Sequence, residues 1–456
     1  MKVPADPLVP PHVAPRVPRP RGPAFVAALV RNPLEVLPAS VYEKDFVATP
    51  PGARLPRAWV TSPALIKAVL LDERDKFRKL TQIRLLGPLL GRGLLTSEGA
   101  DWKWQRQAAA PLFRPQDLAS FVPAFVRCAA RAAGRWRDDA QGRVRSMDGE
   151  MNRLTLEIVA ETLLPGGDDA FMATLQRSIA RLQRSGGWDI LYASMNVPGW
   201  VPRPGMRRGR REAVRMREAA GIKLREHCAA HGADDDLVAR LVAARDPETG
   251  RAMDEQQLVD NLLTFYLAGH ETTAKAIAWT LYLLARSPGW TAVLEEEIEA
   301  VTGGAPIEAA HLGRLDRVQQ VLKESMRLYP PVPMMSRQAV ADVRIGEHAV
   351  AARTSVLIPI YAIHRHAARW ERPHEFDPTR FEAARERAIP RYHYMPFGAG
   401  PRICIGMPFA MMEATAVIAT LLQRVRFTWA GGEQLRPIAR VTLVPKGGMP
   451  MRASPR

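Results

Sequence analysis

The 456-residue chain is 47% hydrophobic and 24% charged, which excludes a disordered or fibrous polymer and supplies apolar side chains for a large core. Its formal charge of +17 is spread along the chain and no nucleic-acid-binding motif accompanies it, so nucleic acid is not expected as a partner. Three cysteines, Cys128, Cys228 and Cys404, are too few and too odd in number for a disulfide framework and point to a reducing, cytoplasmic compartment.

From the N-terminus, Met1 to Pro23 is rich in proline and arginine and reads as an extended, partly disordered arm ahead of a folded region, 24–456. The apolar run Ala24–Val30 is too short for a signal peptide or a membrane anchor, so no anchor is expected. Helical spacing or helix-forming composition marks Phe121–Trp136, Met147–Leu164, Phe171–Arg184, Arg208–Ala230, Asp254–Arg286 and Val318–Leu328. Extended pieces are predicted at Arg57–Thr61, Thr354–Pro359 and Arg440–Val444. Gly186–Pro204, with Trp188, Leu191, Tyr192, Met195 and Trp200, reads as an apolar, aromatic loop, either a lid over a hydrophobic pocket or core packing. The run Arg207-Arg208-Gly209-Arg210-Arg211 reads as a solvated face, and His231–Asp254 as a loop between helices. Length alone suggests two or three domains, yet no Gly/Ser-rich linker separates them.

Leu258–Leu284 is apolar on almost all sides, so this helix belongs at the protein's centre. Asp260, His270, Glu271 and Lys275 argue against a membrane span. Its middle, Ala268-Gly269-His270-Glu271-Thr272-Thr273, breaks helix rules. Mid-helix glycine costs about 1 kcal/mol relative to alanine, and an acid and two β-branched hydroxyls stand in a buried stretch. Small residues leave room for a diatomic ligand, Thr272 can hydrogen-bond it or an ordered water, and Glu271 can pass protons inward. Alone, the same residues also suit a kinked core helix whose threonine bonds back to its own backbone. Further on, Glu324 and Arg327 share one face of a helix that Val318, Val321, Leu322 and Met326 bury and Tyr329-Pro330-Pro331 ends.

Near the C-terminus, the stretch Phe397-Gly-Ala-Gly400-Pro-Arg402-Ile-Cys404-Ile-Gly406 places one thiol among glycines, behind an arginine and an aromatic. That suits a thiolate under a large flat metal cofactor. Glycines let backbone approach a planar ligand, Arg402 can pair with an anionic group at its edge, and turn N–H groups can stabilise the sulfur. A structural cysteine in a glycine-rich turn is the plain alternative. Pro408 suits the first turn of a helix over 407–424.

The stretch resembles the haem-binding signature of the cytochrome P-450 superfamily, Phe-x-x-Gly-x-Arg-x-Cys-x-Gly, and Phe397, Gly400, Arg402, Cys404 and Gly406 meet every fixed position. The resemblance runs over about residues 95–452. It implies a mainly α fold, one large helical domain with small β-sheets, carrying haem b with Cys404 as the iron ligand. The segment 268–273 is similar to the family's oxygen-activation motif, which implies Thr272 as the active-site alcohol and Glu271 as its acidic neighbour. Pro373-x-x-Phe376-x-Pro378-x-Arg380-Phe381 resembles its second arginine motif, implying that Arg380 joins Glu324 and Arg327 in a buried structural network. Trp102, Arg106, Arg337 and Arg402 are implied as propionate partners. Leu85, Leu89, Phe265, Ala268, Met334, Met335 and Val441 fall where the family lines its substrate pocket.

The function so implied is insertion of one atom of O2 into an apolar organic substrate, by hydroxylation or epoxidation. No flavin or ferredoxin segment is present. Electrons are therefore expected from an external ferredoxin or flavodoxin, ultimately from NAD(P)H, docking on a basic face around Arg106, Arg114, Arg391 and Arg402. Two alternatives stand beside this: a peroxide-driven or isomerase-like haem-thiolate enzyme, whose relatives often lack the acid–alcohol pair, and a non-catalytic haem-thiolate sensor or carrier.

Overall fold

Helix-forming composition dominates the sequence, and helices dominate the computed structural model, which describes residues 8–137, 143–163, 169–183, 186–230, 237–432 and 435–456. The longer helices are α1 (Gly22–Arg31), α2 (Leu80–Leu90), α3 (Gly99–Ala109), α4 (Val122–Arg137), α5 (Met147–Leu163) and α6 (Asp169–Gln183). They continue with α7 (Gly186–Ser194), α8 (Met206–Ala230), α9 (Glu255–Arg286), α10 (Pro288–Thr302), α11 (Asp316–Leu328) and α12 (Met407–Arg424). The helix ends predicted at Leu164 and Arg184 lie outside the described residues.

The apolar helix α9 runs through the centre. Asp254 caps it by accepting the Gln257 N–H at 2.7 Å. It packs along α5 and against α8, α11 and α12, and its residues Thr273–Leu284 are all buried. Even its lysine is satisfied inside, with Lys275 Nζ 2.5 Å from Asp148. Burial on every side is what a helix without a polar face requires.

A five-stranded sheet flanks this core in the order Phe46–Ala48, Arg57–Val60, Ser355–Ile358, Met335–Ala339, Phe77–Arg78. Arg57–Val60 and Ser355–Ile358 run parallel, with Ala58 opposite Val356, and the other pairs are antiparallel. The register sets Arg337 opposite Val356 and so fixes where that arginine enters the interior.

Several segments depart from the sequence reading. Gly186–Pro204 is not all loop: it opens with helix α7, whose apolar side joins α1 in a small separate core around Leu29 and Leu191. Arg440–Val444 is not one strand. Pro437–Ala439 and Leu443–Pro445 pair as a hairpin and Arg440–Thr442 forms its turn. The stretch read as a loop before α9 holds a short helix, Leu237–Ala243, and a bridge between Arg245 and Ala252, while 231–236 lie outside the described residues. Among the described residues of the proline-rich lead, 8–16 hold no regular element beyond a bridge at Leu8, and they are docked. Leu8 O accepts the Phe376 N–H at 2.8 Å, Pro11 O accepts the Tyr329 hydroxyl at 2.7 Å, and the Val13 N–H donates to the Tyr361 hydroxyl at 2.9 Å. Among the described residues, no helix is long and apolar enough to cross a membrane.

Candidate active site

A cavity of about 1060 Å³ lies between α9 and the loop that precedes α12. Its lining includes Phe397, Arg402, Cys404 and Gly406 from that loop, Ala268, Glu271 and Thr272 from α9, Trp102 and Arg106 from α3, and Arg337 from the sheet. Residues scattered over more than 300 positions of sequence thus meet around one space.

The loop is built by its own short-range bonds. The Cys404 N–H donates to Phe397 O at 3.0 Å, and Ile403 N to Gly400 O at 3.0 Å. Gly400 has φ +73°, and a Cβ there would come within 2.8 Å of Leu70 O, so only glycine closes this turn. The Cys404 side chain is accessible, but to the cavity. Burial raises its pKa on balance; the Gly406 N–H and Arg106 offset part of that rise, the two influences that favour a thiolate.

Beside the cysteine, cations outnumber acids. Lys79, Arg106, Arg337 and Arg402 all line the cavity. The acid that offsets them is Glu98, which takes the Lys79 backbone N–H at 2.6 Å and lies 3.5 Å from Arg78. Burial, then repulsion from Arg337 and Arg402, lowers Lys79 to about 7. Burial lowers Arg337 and Arg402 to about 10 each. Among the described residues, Arg337 and Lys79 otherwise reach only the carbonyls of Ser336 and Leu95. The Arg402 guanidinium lies 4.0 Å over the Trp102 ring and donates to Ser97 O at 2.8 Å. Cations held this way cost stability unless a ligand brings negative charge. A flat group with two carboxylates at one edge and a metal over Cys404 fits this donor set. Lys79 was absent from the sequence reading because a lone lysine carries no pattern; only its burial singles it out.

Across the cavity, α9 stays continuous through its glycine. Behind the notch α5 lies in contact, with Val159 Cγ2 3.4 Å from where a Cβ on Gly269 would stand. Ala268 is exposed to the cavity. The Thr272 hydroxyl donates to Ala268 O at 2.7 Å, and Glu271 Oε1 accepts the Thr442 hydroxyl at 2.7 Å. The hairpin turn at Arg440–Thr442 therefore orients the acid.

Leu85, Leu89, Phe265, Met335 and Val441 line the cavity, but Met334 does not: it is partly buried and packs against the main core instead. Alternation along the strand sends only one of two adjacent methionines inward. The basic face must also be redrawn. Arg106 and Arg402 line the cavity, whereas Arg114 and Arg391 are exposed. Below the site, Arg327 grips Glu324 through Nε (2.7 Å) and Nη2 (2.8 Å), both wholly buried, and Arg380 Nε lies 3.6 Å from Glu324. Glu324 also takes the Asp377 N–H at 2.8 Å, and His364 Nε2 accepts the Met395 N–H at 2.9 Å, tying this network to the segment that leads to Phe397.

A sequence profile of the cytochrome P450 family matches residues 53–450. The chain is 32% identical over 439 residues to the cyclooctat-9-en-7-ol 5-monooxygenase of Streptomyces melanosporofaciens, covering 94% of this chain and 92% of that one. It is also 32% identical over 419 residues to a cytokinin hydroxylase of Arabidopsis thaliana, covering 88% of this chain and 79% of the other. Among solved structures, the haem domain of cytochrome P450DA superposes with a TM-score of 0.77 at 26% identity, covering 90% of each chain. With the cysteine loop, the notched helix and these matches in agreement, the chain belongs to the cytochrome P450 family and is a monooxygenase of that family.

Proposed function

We propose that Cys404 ligates the iron of a haem b in this cavity, that Trp102, Lys79, Arg106, Arg337 and Arg402 hold its propionates, and that the chain hydroxylates or epoxidises a mainly apolar substrate. Phe397 and Gly406 shape the space around the sulfur. One observation carries the reading: the thiol, the cation cluster and the Ala268–Thr272 notch all line a single cavity. When bound, the haem supplies O2 activation, and a thiolate ligand favours O–O cleavage. The chain's own residues do the rest. Leu85, Leu89, Phe265, Ala268, Met335 and Val441 hold the substrate and exclude water. Thr272 turns its hydroxyl from the Ala268 carbonyl toward the cavity, and Glu271, steadied by Thr442, relays protons to it. Glu324, Arg327 and Arg380 hold the cysteine loop in place. Retention of this acid–alcohol pair supports a monooxygenase over a peroxide-driven enzyme or a sensor.

Electrons come from an external redox protein. A ferredoxin- or flavodoxin-type donor fed by NAD(P)H is part of this reading, supported by exposed Arg114 and Arg391 and the net positive charge. So is a cytoplasmic setting, supported by three unpaired cysteines. The test is the ferrous–carbon monoxide spectrum of purified protein. A strongly red-shifted Soret band, abolished by Cys404→Ala, is expected; an unshifted band in the unaltered protein sinks the assignment of Cys404.

A further inference from the structure

Away from Cys404, the cavity wall is formed by α2, α7 with its following loop, α8 and the turn Arg440–Thr442. This wall brings Arg84, Arg203, Arg210, Arg217 and Arg440 to the same space. Two of these are matched: Arg203 Nε donates to Asp189 at 2.7 Å, and Arg217 pairs with Asp260. The other three have no carboxylate partner among the described residues. Arg84 reaches the amide oxygen of Asn196, and Arg210 Nη2 reaches Gly199 O at 3.4 Å. Arg440 Nη1 donates to Arg31 O at 3.0 Å and Ala439 O at 3.1 Å.

Arg440 is the most constrained of the three. It is half-buried, and the last carbonyl of α1 fixes one of its nitrogens. Its stem lies against α7 where a Cβ on Gly186 would come within 3.3 Å of Cδ, so a larger residue there would crowd it. It neighbours Val441, which faces the same cavity, and Thr442, which holds Glu271. A guanidinium partly withdrawn from water, with only amide oxygens for company, gains strongly from an anion. Arg84 and Arg210 are exposed and can turn to water, but a wholly apolar substrate would set half-buried Arg440 against hydrocarbon.

We infer that the substrate is an amphipathic carboxylate, its acid group held by Arg440 and its apolar body reaching toward Ala268 and Thr272. Arg84 and Arg210 add an attractive field along the same wall. A planar carboxylate matches the guanidinium fork. This inference rests on the monooxygenase reading of the cavity and names its substrate class.

Haem-loaded protein is titrated with dodecanoate and dodecanol, and with the rigid pair abietate and abietol, following the Soret change and the heat of binding. Each acid is expected to bind about tenfold tighter than its alcohol. Arg440→Gln should remove most of that preference while leaving alcohol affinity within about twofold, and Arg440→Lys should keep part of it. Added salt should weaken the acids and spare the alcohols. Equal or tighter binding of the alcohols by the unaltered protein overturns the inference. So does an Arg440→Gln variant that weakens acids and alcohols alike, which would leave Arg440 as a helix cap only. Failure of the monooxygenase reading looks different: the carbon monoxide band of the unaltered protein would not be red-shifted.

Discussion

Replacing Arg327 by methionine tests the buried network. Methionine has similar length and no donors. The change removes two bonds to Glu324 and three to the carbonyls of His364, Pro373 and Glu375, at 2.9, 2.8 and 2.8 Å. Glu324 keeps the Asp377 N–H and the more distant Arg380. Unpairing one member of a buried ion pair costs about 3–5 kcal/mol, and each carbonyl left without a donor adds about 1 kcal/mol at the low end. Arg380 can move in from 3.6 Å and recover part of this, so a net loss of about 5 kcal/mol is expected. At about 2 cal/mol/K per residue over 456 residues, the unfolding entropy is about 1 kcal/mol/K, and the Tm falls by about 5 °C. Differential scanning calorimetry of the haem-loaded protein at several scan rates measures this. Adding Glu324→Gln should recover about 2 kcal/mol, because no unpaired charge then remains buried. An Arg327→Met protein melting within about 1 °C of the original would refute the argument.

Thr272→Ala should keep the thiolate-type carbon monoxide band but divert electrons to peroxide, measured as peroxide released per NAD(P)H consumed; unchanged coupling would leave Thr272 a back-bonded helix residue. Thr442→Val removes the hydroxyl that Glu271 Oε1 accepts and should slow turnover more than it weakens substrate binding, seen as a fall in kcat with KM within about twofold. His364 is held neutral. Burial, then Arg327 and Arg365, lowers its pKa from 6.5 to about 3. Between those values the unfolded chain binds the extra proton, so stability is lost as pH falls through that window, about 2 kcal/mol from this residue by pH 5. His364→Gln should flatten the acid-unfolding curve followed by tryptophan fluorescence, and an unaltered slope would contradict the neutral assignment. Gly400→Ala puts a methyl 2.8 Å from Leu70 O at positive φ and should lower haem occupancy, read from the Soret-to-280 nm absorbance ratio.

The cysteine loop was legible because its chemistry is local: turn glycines, thiol and arginine fall within ten residues, Phe397 to Gly406. Helix α9 was legible because an apolar stretch interrupted by an acid and two threonines contradicts its own burial unless that break has a use. What stayed hidden depends on tertiary contact. Helix α7 carries glycines at its start and no clear periodicity, and it is held by docking on α1, where a Cβ on Gly187 would lie 2.2 Å from Val30 O. Whether Arg106 and Arg402 face solvent or cavity, and which of Met334 and Met335 turns inward, is decided by neighbours that spacing cannot reveal. Lys79 and Arg440 are unremarkable in sequence and become informative only beside the other cations of the cavity wall, which outnumber the acids there.

The clasp formed by residues 8–16 has a consequence for biosynthesis. Its partners Tyr329 and Tyr361 stand 318 and 348 positions downstream in sequence. Once made, residues 8–16 must therefore wait for more than 300 further residues before they can dock. At roughly 10 residues per second that delay is on the order of half a minute. Throughout it residues 8–16 are open to chaperones and proteases, and closure of the clasp marks a late stage of maturation.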